Sequence, residues 1–288
     1  GGGGVWVGGV GSPTCFDDAP TRYTSSMLGW YSRLSTHGSL RVAGVGMKLD
    51  ADSVQGVLFL SRGQSQDDAH ALWSSLFPSQ SPDAFQRSAK SPNLSSSASG
   101  EVANFLVTIN VQIARIDIVL AATEPANRED GPPRVADVEQ ASLKLTALMK
   151  RVCERNRIVR TAVILDLART IVRSEEAAAI KEALPGFPFP DNATDFVLQF
   201  NSRSKVGVGD IEMNRLCQWT VGNVGYLRGG MLPRPQNMVA MVPYFGLKID
   251  VNTIPEISIS QDDVPLIIDY LAKEALAIRD AGVARLQA

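Results

Sequence analysis

At 288 residues the chain is nearly twice the length of a typical ~150-residue domain, which predicts one large or two modest domains. With 44% hydrophobic and 20% charged side chains it can bury a core, which excludes disorder along its whole length, and Gly at 24 and Pro at 16 follow no G-x-y period that would mark collagen. Lys and Arg number 28 against 30 Asp and Glu, a net charge of -2, so no global field draws a polyanion such as DNA.

Residues 1–11 are crowded with glycine around Trp6 and predict an extended arm over 1–22. Tyr23, Met27, Trp30, Tyr31 and Leu34 then recur at steps of three and four up to Gly38, the pattern of an amphipathic helix with a glycine cap. Leu40 to Leu49 and Val54 to Ser61 read as two strands of a hairpin, joined by the turn-forming side chains of Asp50 to Ser53. Ser65, with Asp68 three residues on, marks a helix start leading into Leu72, Trp73 and Leu76, and Pro78 ends it.

The segment 79–100 is rich in Ser, Pro and Asn and predicts a linker or loop. Phe105, Val107, Ile109, Val111 and Ile113 alternate with polar neighbours, the period of a strand with one buried face. After a loop over 123–134, Val138, Ala141, Leu145, Leu148, Met149 and Val152 form a helical stripe. Strands are expected at 158–172, 196–200, 216–221 and 238–249, with helices at 175–184 and from Asp263 to about Arg279. Strands outnumber helices without alternating with them. The expected class is therefore α+β, a mixed, mainly antiparallel sheet or sheets with about five helices.

Two loosely repeated halves are expected, at 23–122 and 136–288. Gly46-Met47-Lys48-Leu49-Asp50 resembles Gly246-Leu247-Lys248-Ile249-Asp250, and Ser-Gln-Asp-Asp follows each within about 20 residues, at Ser65 and Ser260. A looser third copy runs from Ile164-Leu165-Asp166 to Ser174-Glu175-Glu176.

Local signatures of chemistry are few. A nucleophile needs a base, and the two histidines, His37 and His70, both lie in predicted helices with no G-x-S-x-G elbow to accompany them. Neither a zinc motif, an EF-hand loop nor a phosphate-cradling glycine run occurs, so no cofactor is expected. Asp50, Asp166 and Asp250 end strand-like runs, and convergence there would hold Mg²⁺ for work on phosphate esters; Asp117 lies inside an apolar run. Lys150, Arg151, Arg155, Arg157 and Arg160 form a basic stretch, the one candidate for a phosphate-binding or partner-binding patch, with Trp6 as an aromatic contact.

No run of about 18 apolar residues occurs, since Asp269, Lys273 and Glu274 interrupt Val264 to Ile278, so no membrane partner is expected. Cys15, Cys153 and Cys217 are odd in number and form no CxxC pair, which predicts a reducing, cytoplasmic setting with buried thiols. The reading these features favour is a non-catalytic subunit that assembles with itself or binds a protein partner. A Mg²⁺-dependent enzyme using the strand-end aspartates comes second, and a nucleic-acid-associated factor using the basic stretch third.

Overall fold

The period-two patterning of the chain resolves, in a computed structural model, into one antiparallel sheet. The structure describes residues 49–61, 67–88, 95–123, 132–192, 195–208, 211–225, 241–255 and 259–287; the expected arm, Trp6, His37, Cys15, the helix at 23–38 and nearly all of the strand at 40–49 lie outside them. In chain order the elements are β1 (Asp50–Leu60), α1 (Ala69–Leu76), β2 (Ala84–Ser88), β3 (Ser95–Val102), β4 (Phe105–Gln112), β5 (Arg115–Ala122) and α2 (Val138–Cys153). They continue as β6 (Ile158–Thr170), α3 (Glu176–Ala183, after a 3-10 turn at Arg173–Glu175), β7 (Val197–Lys205), β8 (Glu212–Gly225), β9 (Met241–Thr253), α4 (Val264–Ala281) and α5 (Val283–Gln287). The nine strands run in the order β2-β3-β4-β5-β1-β6-β9-β8-β7, and every neighbouring pair is antiparallel. The class is α+β.

Each half repeats one arrangement. A strand, a short helix, a run of strands and a long helix appear as β1, α1, β2 to β5 and α2, then again as β6, α3, β7 to β9 and α4. The two first strands pair at the middle of the sheet, from Asp50 opposite Ala168 to Leu60 opposite Ile158. In this order the helix at 138 follows the strands of the first arrangement and precedes β6, the first strand of the second. The likeness of 46–50 to 246–250 falls on strands that are not equivalent: Asp50 starts a first strand whereas Asp250 lies in a last one, so the counterpart of the stretch from β1 to α1 is the looser copy around Asp166.

The described α1, α2, α3 and α4 lie on one face. Ala69 N–H at the start of α1 donates to Ser96 Oγ of β3, Met149 of α2 lies against Gly56 of β1, Glu182 of α3 accepts from Arg169 of β6, and Glu274 of α4 accepts from Arg215 of β8. Between these helices and the sheet runs a single buried core that includes Leu58, Trp73, Ile109, Leu145, Leu165, Trp219, Phe245 and Leu271. Asp68 and Asp137 start α1 and α2 by accepting the N–H groups of Ala71 and Gln140, satisfying donors that a helix start leaves free.

Two expectations fail for local reasons. Asp50 to Ser53 are not a hairpin turn but the first residues of β1, where Ala51 exchanges two backbone bonds with Val135 and a register shift between Ala51 and Ser53 leaves Asp52 as the extra residue of a bulge. The segment 79–100 is not a free loop, since it contains β2 and the start of β3. Its small residues have a packing role: a Cβ on Gly100 would stand 3.0 Å from the indole ring of Trp73, which is fully buried.

Candidate functional site

Strand alternation gives the sheet a second face on which no described helix lies, and register arranges its side chains in rows. At one end Arg115, Phe59 and Arg160 stand side by side on β5, β1 and β6. The next row holds Asn110, Asp117, Val57, Ala162, Asn252, Asn214 and Arg203; beyond it come Thr108, Val119, Gln55, Ile164, Asp250, Leu216 and Asn201. A fourth row carries Leu106, Ala121, Ser53, Asp166, Lys248, Gln218 and Gln199.

Hydrogen bonds lock this face. Arg115 donates from Nε and Nη2 to the carboxylate of Asp117, at 2.7 to 3.1 Å, and Gln55 Nε2 donates to the same group at 2.9 Å. These bonds are what permit Asp117, at 4% exposure, to sit between two isoleucines. Asn252 Nδ2 donates to Asp250, while its Oδ1 accepts from Asn214 Nδ2 and Arg160 Nη2; Asn201 Nδ2 donates to Asn214 Oδ1 at the far edge. The guanidinium carbons of Arg115 and Arg160 lie 5.4 and 4.9 Å from the centre of the Phe59 ring, one on each neighbouring strand.

Asp50, Asp166 and Asp250, the proposed metal ligands, do share this face, but they are not gathered. Asp166 lies opposite Lys248, Asp250 opposite Ile164 and Asp50 opposite Ala168. Among the described residues no group of three His, Cys, Asp or Glu side chains is placed to hold a cation. Burial holds the Asp166 carboxyl above its ordinary pKa, with Lys248 opposing and Asp52 adding to the shift.

The basic stretch is largely occupied within the molecule. Lys150 pairs with Asp269 of α4, and Arg151 donates to the carbonyls of Leu76 and Ser75, closing the end of α1. Arg155 and Arg157 are exposed in the connection before β6, and the Arg157 carbonyl accepts from Ser61 N–H. His70 is exposed in the first turn of α1, its ring edge-on to Phe85 at 5.5 Å. Burial pushes both described thiols, Cys153 and Cys217, up to about 12, which keeps them protonated and unreactive.

The groups that organise the face, Phe59 between two arginines and the amides of Gln55, Asn201, Asn214 and Asn252, are not among the residues the sequence singles out. Their signal is weak: amides at alternate positions of a strand mark a polar face without saying which strands lie together. Comparison with family models, with curated proteins and with solved structures returns no match.

Proposed function

We propose that this chain is a non-catalytic subunit whose work is to assemble with copies of itself. One observation carries the reading: at both ends the sheet stops at a strand that, among the described residues, has a neighbour on one side only. Such edges present rows of backbone donors and acceptors, the commonest template for strand pairing between chains. The helix-free face adds support, since Gln55, Arg115, Asp117, Arg160, Asn201, Asn214, Asp250 and Asn252 bond to one another across it and hold a fixed polar surface.

Charge on that face argues against a polyanion partner. Arg115, Arg160, Arg203 and Lys248 are interleaved with Asp117, Asp166 and Asp250, so no unbroken basic surface faces a phosphate backbone. No described helix is long and apolar enough to cross a membrane. Buried, protonated Cys153 and Cys217 fit the reducing cytoplasmic setting expected for the chain.

Sedimentation velocity over a hundredfold range of protein concentration tests the reading. A species heavier than 31.0 kDa that grows with concentration is expected; a monomer throughout ends the proposal.

A further inference from the structure

The repeat makes the two edges unequal. In the first half β3 lies between β4 and an outer neighbour, β2, which is drawn from the connection between α1 and β3. Its counterpart in the second half is β7, and among the described residues β7 has a partner only in β8. The connection that would have to supply the missing neighbour runs from α3 to β7 and carries Pro185, Pro188 and Pro190. Proline lacks the N–H a strand must donate, and three within six residues keep this connection from pairing. Among the described residues a strand built like an interior one is thus left at the rim.

The rims also differ in protection. The β2 rim is five residues long, follows Pro82 and carries Arg87, whose guanidinium lies 3.8 Å from the Asp68 carboxylate. Short length, proline and charge are the usual defences of an edge. The β7 rim has nine residues and no proline, and leaves Val197 59% and Phe200 38% exposed.

We propose that the outer rim of β7 pairs antiparallel with β7 of a second copy about a two-fold axis at Asn201. This rests on the self-assembly reading and names its contact. The antiparallel sense is that of β2 on β3, the lane it would fill. The pairing is self-complementary: Arg203 faces Gln199 of the copy, Lys205 faces Val197, Phe200 faces Ser202 and Asn201 meets itself, so no like charges stand opposed. A two-fold axis normal to the sheet also keeps the described helices on one side, joining the two faces opposite them into one.

Four substitutions on β7 in the full chain test it by sedimentation equilibrium and non-reducing electrophoresis. Gln199→Arg sets two arginine pairs against each other per dimer and should weaken dimerisation about tenfold, whereas Gln199→Glu, facing Arg203 of the copy, should tighten it severalfold. Gln199 is exposed on a rim strand, so the monomer should fold with either change. With Cys15 replaced by Ser, Asn201→Cys should form a disulfide-linked dimer under mild oxidation, because directly opposed Cα atoms lie about 4.5 to 5.5 Å apart. Ser204→Cys, three residues from the axis, should stay reduced. A wild-type monomer at every concentration overturns this inference together with the self-assembly reading. An oligomer indifferent to both changes at Gln199, with Asn201→Cys crosslinking no better than Ser204→Cys, overturns the β7 contact alone.

Discussion

Gly56 lacks a side chain because Met149 occupies the space one would need: an added Cβ would lie 2.3 Å from the methionine sulfur and 2.8 Å from its Cγ. Met149 is fully buried in the middle of α2, so the clash has little room to relax. Gly56→Ala should cost about 1 to 3 kcal/mol in urea unfolding, and a neutral result would show that α2 stands off the sheet. Asp166 has the opposite character. Its raised pKa means that ionising it opposes folding: the penalty is absent below the unfolded value, near 3.9, and complete above the folded one. Asp166→Asn should therefore raise Tm at pH 7, with the gain shrinking as the buffer approaches pH 3; a pH-independent difference would refute burial of the charge as its cause. The thiols of Cys153 and Cys217 should resist iodoacetamide at pH 8 until urea exposes them, as peptide mass mapping would show. At this scale the sequence was informative where a residue broke its local pattern. Asp117 between isoleucines did so, and it proves to be held by Arg115 and Gln55, 62 residues away from the latter. That Asp50, Asp166 and Asp250 are not gathered was not legible, because strand order, not strand ends, decides which carboxylates meet.

Among the elements, α5 depends on a buried ion cluster. Glu274 of α4, 3% exposed, accepts from Arg215 of β8 and from Arg285 of α5, while Arg215 also donates to the carbonyls of Arg285 and Leu286. Removing the Glu274 charge leaves the buried guanidinium of Arg215, 6% exposed, without its counter-charge away from water. Glu274→Gln should cost about 3 kcal/mol and let trypsin cut at Arg279 and Arg285 well before the rest of the chain unfolds; unchanged proteolysis would mean that α5 docks by other contacts. In the sequence Glu274 stood out only as one of three charges interrupting Val264 to Ile278; its place among the buried Ile267, Leu271, Ala275 and Ile278 comes from the folded helix. The strands now numbered β4 and β6 and the helices α2 and α4 were legible, each carrying a clean period. The strands β2 and β3 were not, because β2 is short and exposed throughout and β3 buries Ser96, Ala98 and Gly100 rather than large apolar side chains. Nor was the start of β1, where bulge residues Asp52 and Ser53 have the composition of a turn.

For the molecule as a whole, the α+β class followed from the count of strands, while the mirrored order of the sheet did not, since register across distant strands leaves no local mark. The repeat was sensed through the wrong pair of segments: similar words at 46–50 and 246–250 end up in non-equivalent strands, and a fainter likeness near Asp166 marks the equivalent one. The partnership of β1 with β6 also reaches beyond folding. Each half brings strands and a long helix of its own, yet the first strand of each is hydrogen-bonded along one side to the first strand of the other. Severing the backbone between Glu154 and Arg155 should yield two fragments, insoluble or unfolded apart, that recover the native circular dichroism when mixed, at a rate rising with concentration. The chain would thereby behave as a covalently tethered heterodimer, its connecting peptide serving only to make an encounter between two bodies into a reaction within one.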